Sequence, residues 1–384
     1  MKRAGWLLVT AGLLLTLLPG RAAGAELTDA GKSAVLMEAA TGTVLYERNA
    51  HEALAPASVT KVMTMLLIME AIDSGKIRWE DQVTASENAA AKGGSQIYLK
   101  AGETMTVSDM VKSIAVSSAN DCACAMAEHI AGSEGAFVDQ MNARAAELGM
   151  RDTHFVNCTG LDDGAEAAEH KTSAYDIALM SRELLVNHPK IKEYTTIWMD
   201  TVRNGAFGLS NTNKLIRFYS GATGLKTGFT AAAGYCLSAS AQRDGMELVA
   251  VVMGCKTSQE RNAACKTLLD YGFANYALVD PELSDVLPVP VKLGTEASVC
   301  PVLGENARLL VEKGKKQGLT TRLELPDQVT APVEKGQRLG TLTICSGEEV
   351  LRQTPLVADR TVPRLTWGQL FTRILAQAAM ARDC

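Results

Sequence analysis

V-T-K-V-M-T-M-L-L-I-M-E-A-I, residues 59–72, is apolar almost all round and runs from just after Pro56 to a Ser74-Gly75 stop. A helix with one apolar stripe covers a core from outside, whereas one that is apolar on every side lies within it. The segment therefore predicts a buried helix at the centre of a sizeable domain. Lys61 stands inside it, and a buried lysine requires a chemical reason.

Working outward, residues 33–48 read as two short strands around Thr41-Gly42, a hairpin. From 106 to 187 the pattern is helical, broken at Gly132-Ser133, at Gly149 and by a loop at 157–169, and residues 173–186 carry apolar side chains at three- and four-residue spacing. Strands return after Gly224: Y-C-L-S-A-S-A-Q and M-E-L-V-A-V-V-M-G, joined at Arg243-Asp244-Gly245, form a second hairpin, and a helix over 258–276 closes the unit. Residues 26–280 thus predict an α/β (α+β) sandwich, an antiparallel sheet with helices on its faces. From 281 to 362 short alternating runs between Gly and Pro predict a small all-β domain. Residues 363–384 end the chain with Trp367, Leu370, Phe371, Ile374 and Leu375 at helical spacing beside Arg364, Arg373 and Arg382, a pattern suited to a membrane surface.

Composition sets the outer limits. The chain has 384 residues, 47% hydrophobic and 21% charged, with a net charge of -5 and no long basic run, so nucleic acid is not an expected ligand. Lys2 and Arg3, an apolar stretch over 5–18 and Ala23-Gly24-Ala25 before Glu26 make residues 1–25 a signal peptide and predict export. At about 14 residues the apolar stretch is short of the roughly 20 that span a bilayer. The nine cysteines lack C-x-x-C spacing and the five histidines are isolated, so no metal site is expected; both sets read as structural.

Three short motifs remain: Ser58-Val59-Thr60-Lys61 (S-x-x-K), Ser118-Ala119-Asn120 (S-x-N) and Lys226-Thr227-Gly228 (K-T-G). Each arises readily by chance, and Ser86-Glu87-Asn88 is a second S-x-N that reads as a decoy. Context separates the first, because residues three apart on a helix share a face and Lys61 can reach the Ser58 hydroxyl. A serine hydroxyl is a poor nucleophile until a base takes its proton. At an ordinary lysine pKa of about 10.4, well under 1% of molecules would be neutral at pH 7. Burial, and Lys226 as a nearby cation, would lower that value; a shift of about three units corresponds to roughly 4 kcal/mol. Ser118 is expected to begin the helix A-N-D-C-A-C-A-M-A-E-H-I and relay a proton, with the Asn120 amide holding a substrate carbonyl. Lys226-Thr227-Gly228 is expected to open a strand, Gly228 allowing close approach of an extended substrate at the sheet edge while Lys226 and Thr227 grip a terminal carboxylate.

In order and interval these motifs resemble the penicillin-recognising active-site serine superfamily. More narrowly, A-P-A-S-V-T-K-V-M-T, G-G-S-Q-I-Y-L-K-A-G-E, S-S-A-N-D, H-K-T-S-A-Y-D, G-L-K-T-G-F-T and L-L-D-Y-G-F resemble the D-alanyl-D-alanine carboxypeptidases, the low-molecular-mass penicillin-binding proteins. The resemblance implies a β-lactamase/transpeptidase-like fold and removal of the terminal D-alanine from peptidoglycan stem pentapeptides through an acyl-enzyme on Ser58, with β-lactams as inhibitors. It implies Lys61 as base, Ser118 as relay, Asn120, Lys226, Thr227 and Gly228 around the substrate, backbone N–H groups of Ser58 and Phe229 as oxyanion hole, and no metal or organic cofactor. The terminal helix resembles the family's membrane anchor.

The chain departs from the family at Thr223, where an acid is frequent, and at Thr212, where an arginine is frequent, which places more of the carboxylate binding on Lys226. A class A β-lactamase would need a loop glutamate followed four residues later by asparagine, but Glu166 and Glu169 are followed by His170 and Ser173. A non-catalytic wall-binding module would have no use for Ser58, Lys61 and Lys226 together.

Overall fold

The computed structural model describes residues 27–281, 283, 286–305 and 307–380. Its centre is a five-stranded antiparallel sheet built from Ser33–Glu38 (β1), Val44–Arg48 (β2), Ala222–Thr230 (β3), Gly234–Arg243 (β4) and Met246–Cys255 (β5), in the order β2-β1-β5-β4-β3. Both expected hairpins form, β1 with β2 and β4 with β5. Successive side chains of a strand face opposite ways, so a sheet covered on both sides needs apolar residues at consecutive positions. In β1, Val35 and Met37 join one core while Ala34 and Leu36 join the other; in β5, Val249, Val251 and Met253 join the first and Leu248, Ala250 and Val252 the second.

The first core contains the helices Lys61–Asp73 (α1), Val107–Ser117 (α2), Asn120–Ala131 (α3), Glu134–Glu147 (α4) and Ala174–Asn187 (α5). As its composition requires, α1 buries residues on every side, from Val62 and Met63 through Leu66 to Met69. The second core is closed by Ser258–Asn275 (α6), through Ala264, Cys265, Leu268, Leu269 and Phe273. Helix starts are fixed by side chains that satisfy otherwise unpaired N–H groups: Thr106, Ser133, Ser173 and Thr257 accept from Asp109, Ala136, Asp176 and Glu260 respectively. Each such cap contributes about 1 kcal/mol.

After α6 the strand Tyr276–Val279 pairs with Leu309–Glu312, and beyond it the expected all-β texture appears. Pro301–Leu303, Glu349–Ala358, Arg338–Ser346 and Leu319–Glu324 form an antiparallel sheet, and Val289–Lys292 lies between Ser298–Val299 and Val329–Thr330. Their small core gathers Val289, Val291, Val299, Val333, Leu339 and Val362. The chain then enters the helix Trp367–Met380 (α7), on which Trp367 is 88% and Phe371 63% exposed, so its aromatic stripe is not packed on the β-domain. No helix among the described residues is long and apolar enough to cross a membrane. The expected signal segment, residues 1–25, and Arg382 lie outside the described residues.

Candidate active site

The helix that begins at Lys61 is preceded by one tighter turn, Ala57–Thr60, which carries Ser58. Ala57 has φ +48°, an uncommon conformation for a residue with a Cβ, at the position just before Ser58. Ser58 is half-buried and Lys61 fully buried, and Lys61 Nζ lies 2.9 Å from Ser58 Oγ. Nζ also donates to the carbonyl of Thr159 at 2.7 Å. Burial lowers the Lys61 pKa from 10.5 to about 7, against a weaker opposing pull from Cys158 and Asp121. The amine is thus available as a base near neutral pH.

Thr159 is a residue that sequence reading missed, and it belongs to the turn N-C-T-G. Asn157 Oδ1 accepts from the N–H groups of Thr159 at 3.1 Å and Gly160 at 2.6 Å, an Asx-type turn. Gly160 has φ +80°, and a Cβ there would stand 1.9 Å from the Ala57 carbonyl oxygen. The Asn and Gly were the legible signal for the turn, but not for where it docks.

The second motif is placed differently from expectation. Ser118 does not begin a helix: it ends α2 in the left-handed conformation, φ +62°, with its N–H on Ile114, and α3 starts at Asn120. This chain reversal puts both side chains inside the protein. Ser118 is 3% exposed and its Oγ has no hydrogen-bond partner, and the same holds for Oδ1 of Asn120, which is 1% exposed. Asn120 Nδ2 donates to Gly93 O at 2.7 Å. Unsatisfied buried polar atoms cost about 1–3 kcal/mol each, and they are tolerated where a ligand completes them. The decoy Ser86 behaves as read, capping a short helix through the N–H of Ala89 at 2.9 Å.

Lys226-Thr227-Gly228 lies in the middle of β3 rather than at its start, because pairing with β4 already begins at Ala222. As the last strand in the sheet order, β3 offers an edge. A Cβ on Gly228 would sit 2.6 Å from Pro56 O and 3.1 Å from Ser58 N, so the bare glycine lets this strand lie against the serine turn. Thr227 Oγ1 lies 2.7 Å from Thr212 Oγ1, while Thr223 donates to Glu247 at 2.9 Å. Lys226 is 1% exposed with Nζ on Thr227 O at 2.9 Å, and its pKa is held well below the usual value by burial and then by the charges of Lys61 and Arg261. Of the two causes expected to lower the Lys61 pKa, burial is the larger. Phe229 is exposed, its ring tilted against Tyr235 at 4.3 Å.

Other clusters are occupied by their own partners. Glu70, Glu183 and His188 come close enough together to suggest a metal, but Arg144 already donates to both glutamates at 2.7 Å. Glu166 and Glu169 are exposed and bear no resemblance to a buried water-activating carboxylate. All eight cysteines among the described residues are free. A cavity of about 580 Å³ between Arg243, Phe273 and Lys313 shares no residue with the site.

Residues 21–257 match the family D-alanyl-D-alanine carboxypeptidase, and residues 284–364 match the C-terminal domain of penicillin-binding protein 5. The chain is 44% identical over 376 residues, 95% of each protein, to the D-alanyl-D-alanine carboxypeptidase DacF of Bacillus subtilis. It is similar to the crystal structure of penicillin-binding protein 5 from Haemophilus influenzae, with a TM-score of 0.74, 30% identity and coverage of 87% of this chain and 98% of that one. It is also similar to penicillin-binding protein D2 of Listeria monocytogenes in its ampicillin-bound form, with a TM-score of 0.58, 31% identity and coverage of 63% and 97%.

Proposed function

Because the chain belongs to the D-alanyl-D-alanine carboxypeptidase family of serine peptidases, we propose that Ser58 attacks the penultimate D-alanyl carbonyl of a peptidoglycan stem pentapeptide. Neutral Lys61 takes the hydroxyl proton as the C–O bond forms. Backbone N–H groups of Ser58 and Phe229 receive the oxyanion, and collapse of the tetrahedral intermediate breaks the peptide bond. Ser118, whose Oγ is uncommitted, carries a proton to the leaving nitrogen, so that D-alanine departs and an ester remains on Ser58. Water, deprotonated by the same lysine, then releases the shortened peptide and restores the serine.

The Asn120 amide faces the substrate backbone, and Lys226 and Thr227 face its terminal carboxylate, whose negative charge favours the protonated form of the Lys226 amine. A β-lactam follows the first half of this course and stalls as the ester. On this reading residues 1–25 direct export, residues 26–280 hold the catalytic site, residues 281–362 raise it from the membrane, and the stripe of Trp367, Phe371, Ile374 and Leu375 in 363–384 rests on the lipid surface outside the cytoplasm.

The observation that carries the proposal is the 2.9 Å approach of a fully buried Lys61 to Ser58. Incubation with benzylpenicillin followed by intact mass and peptide mapping tests it. A persistent adduct on Ser58, absent from Ser58→Ala, is expected. Turnover of the drug with no adduct would replace the proposal by a β-lactamase.

A further inference from the structure

His170 is 4% exposed, packs its ring on Phe155 with centroids 5.7 Å apart, and takes no part in the chemistry above. Its two nitrogens are committed in a fixed direction. The Val156 N–H donates to Nδ1 at 3.0 Å, which leaves Nδ1 without a proton and places the ring hydrogen on Nε2. Nε2 lies 2.7 Å from the hydroxyl of Thr60, a residue with no exposed surface, and Thr60 in turn donates to the Ala57 carbonyl at 2.8 Å. One unbroken line of donors thus runs from Val156 through His170 and Thr60 to Ala57.

The ends of that line are the two pieces of backbone that make the site. Ala57 and Thr60 bracket Ser58 in the tight turn, and Thr60 is followed directly by Lys61. Val156 leads into the Asn157-Gly160 turn, whose Thr159 carbonyl receives Lys61 Nζ. The two segments lie about a hundred residues apart in the chain and have no covalent reason to keep register. We propose that His170 is a positioning residue, which through Thr60 and Val156 holds the serine turn and the lysine's carbonyl acceptor in one frame. The ring remains neutral as this role demands, since burial, with the charges of His154 and Lys61, lowers its pKa from 6.5 to about 4. The reading rests on Ser58 and Lys61 being nucleophile and base.

The test compares Thr60→Val, Thr60→Ser, His170→Gln and His170→Asn in the full chain. The readouts are the acylation rate with a fluorescent penicillin and kcat and KM for D-alanine release from a synthetic pentapeptide. Misplacement of reacting groups by an ångström can cost about 100-fold. Thr60→Val and His170→Asn, which lack a hydroxyl or an Nε2 donor, are therefore expected to slow acylation and kcat by about 10- to 100-fold with KM changed less than about 2-fold. Thr60→Ser restores the hydroxyl and is expected within about 3-fold of wild type, and His170→Gln, with an amide nitrogen reaching the Nε2 position, is expected above His170→Asn. Thr60→Ser no faster than Thr60→Val, Thr60→Val at the wild-type rate, or a loss confined to KM would each overturn the proposal. If a histidine variant fails to fold, the threonine pair decides alone. Failure of wild type to form a Ser58 adduct would instead overturn the nucleophile, a different result from a normal adduct formed equally fast by all variants.

Discussion

The Thr159 carbonyl oxygen lies 2.7 Å from Lys61 Nζ and is the acceptor that orients it. A neutral amine has two hydrogens and one lone pair. With one hydrogen on Thr159, the lone pair can turn to the Ser58 hydroxyl 2.9 Å away, whereas a protonated amine would donate to both oxygens and abstract nothing.

Acylation should therefore follow the ionisation of Lys61. With its pKa lowered from 10.5 to about 7 by burial, the penicillin acylation rate is expected to fall about tenfold per unit as pH drops below that value. Stability moves in a related way: the unfolded chain holds this proton up to about pH 10.4 while the folded chain releases it earlier, so stability gains with pH across the interval. Stopped-flow acylation over a pH series checks the limb, and a flat profile from pH 5 to 9 would count against it.

Ser118→Ala should separate activity from stability. The Oγ is buried with no partner, so its removal leaves no new unsatisfied group, and stability is expected to be unchanged or raised by up to about 1 kcal/mol. D-alanine release is expected to fall about 100-fold or more. Urea unfolding alongside the activity assay reads both quantities, and a variant that loses both together would assign Ser118 a structural role.

Gly160→Ala should do the reverse and damage the frame itself. The residue combines φ +80° with a Cβ position 1.9 Å from Ala57 O, a backbone atom that cannot rotate aside. A loss of about 2–4 kcal/mol in urea unfolding, with slower acylation, is expected. Gly75→Ala, at φ +75° with open space around it, is the control: only the conformational cost of about 1 kcal/mol should appear.

The terminal helix should bind anionic vesicles. Trp367 and Phe371 are exposed beside Arg364 and Arg373, so pelleting with phosphatidylglycerol vesicles is expected for the full chain, and a Trp367→Ser, Phe371→Ser double variant should lose about tenfold or more in partitioning. Equal pelleting of both forms would remove α7 from the interface.

Local patterns in this chain were read well from sequence, and long-range placements were not. Two-residue alternation and the Arg243-Asp244-Gly245 turn found the β4–β5 hairpin, and the apolar surroundings of Lys61 foretold its complete burial. Nothing in S-A-V-L-M-E says that β1 will pair with β5, over two hundred residues on, because an apolar run specifies that it is covered but not by what. The start of α3 was misplaced at Ser118 since serine is an ordinary helix cap, whereas here it serves as the left-handed end of the preceding helix. Thr159 was invisible for a simpler reason: it acts through a carbonyl that every residue possesses. The same holds for His170, whose isolation in sequence conceals a partner in each of two distant segments.

D-alanine release from a synthetic pentapeptide ending in D-alanyl-D-alanine, measured for wild type and Lys61→Ala side by side, is the most direct test of the buried lysine as base. The account predicts steady release by the wild type and a loss of about 10²- to 10⁴-fold in a Lys61→Ala protein that still folds. Equal release by the two proteins would contradict it.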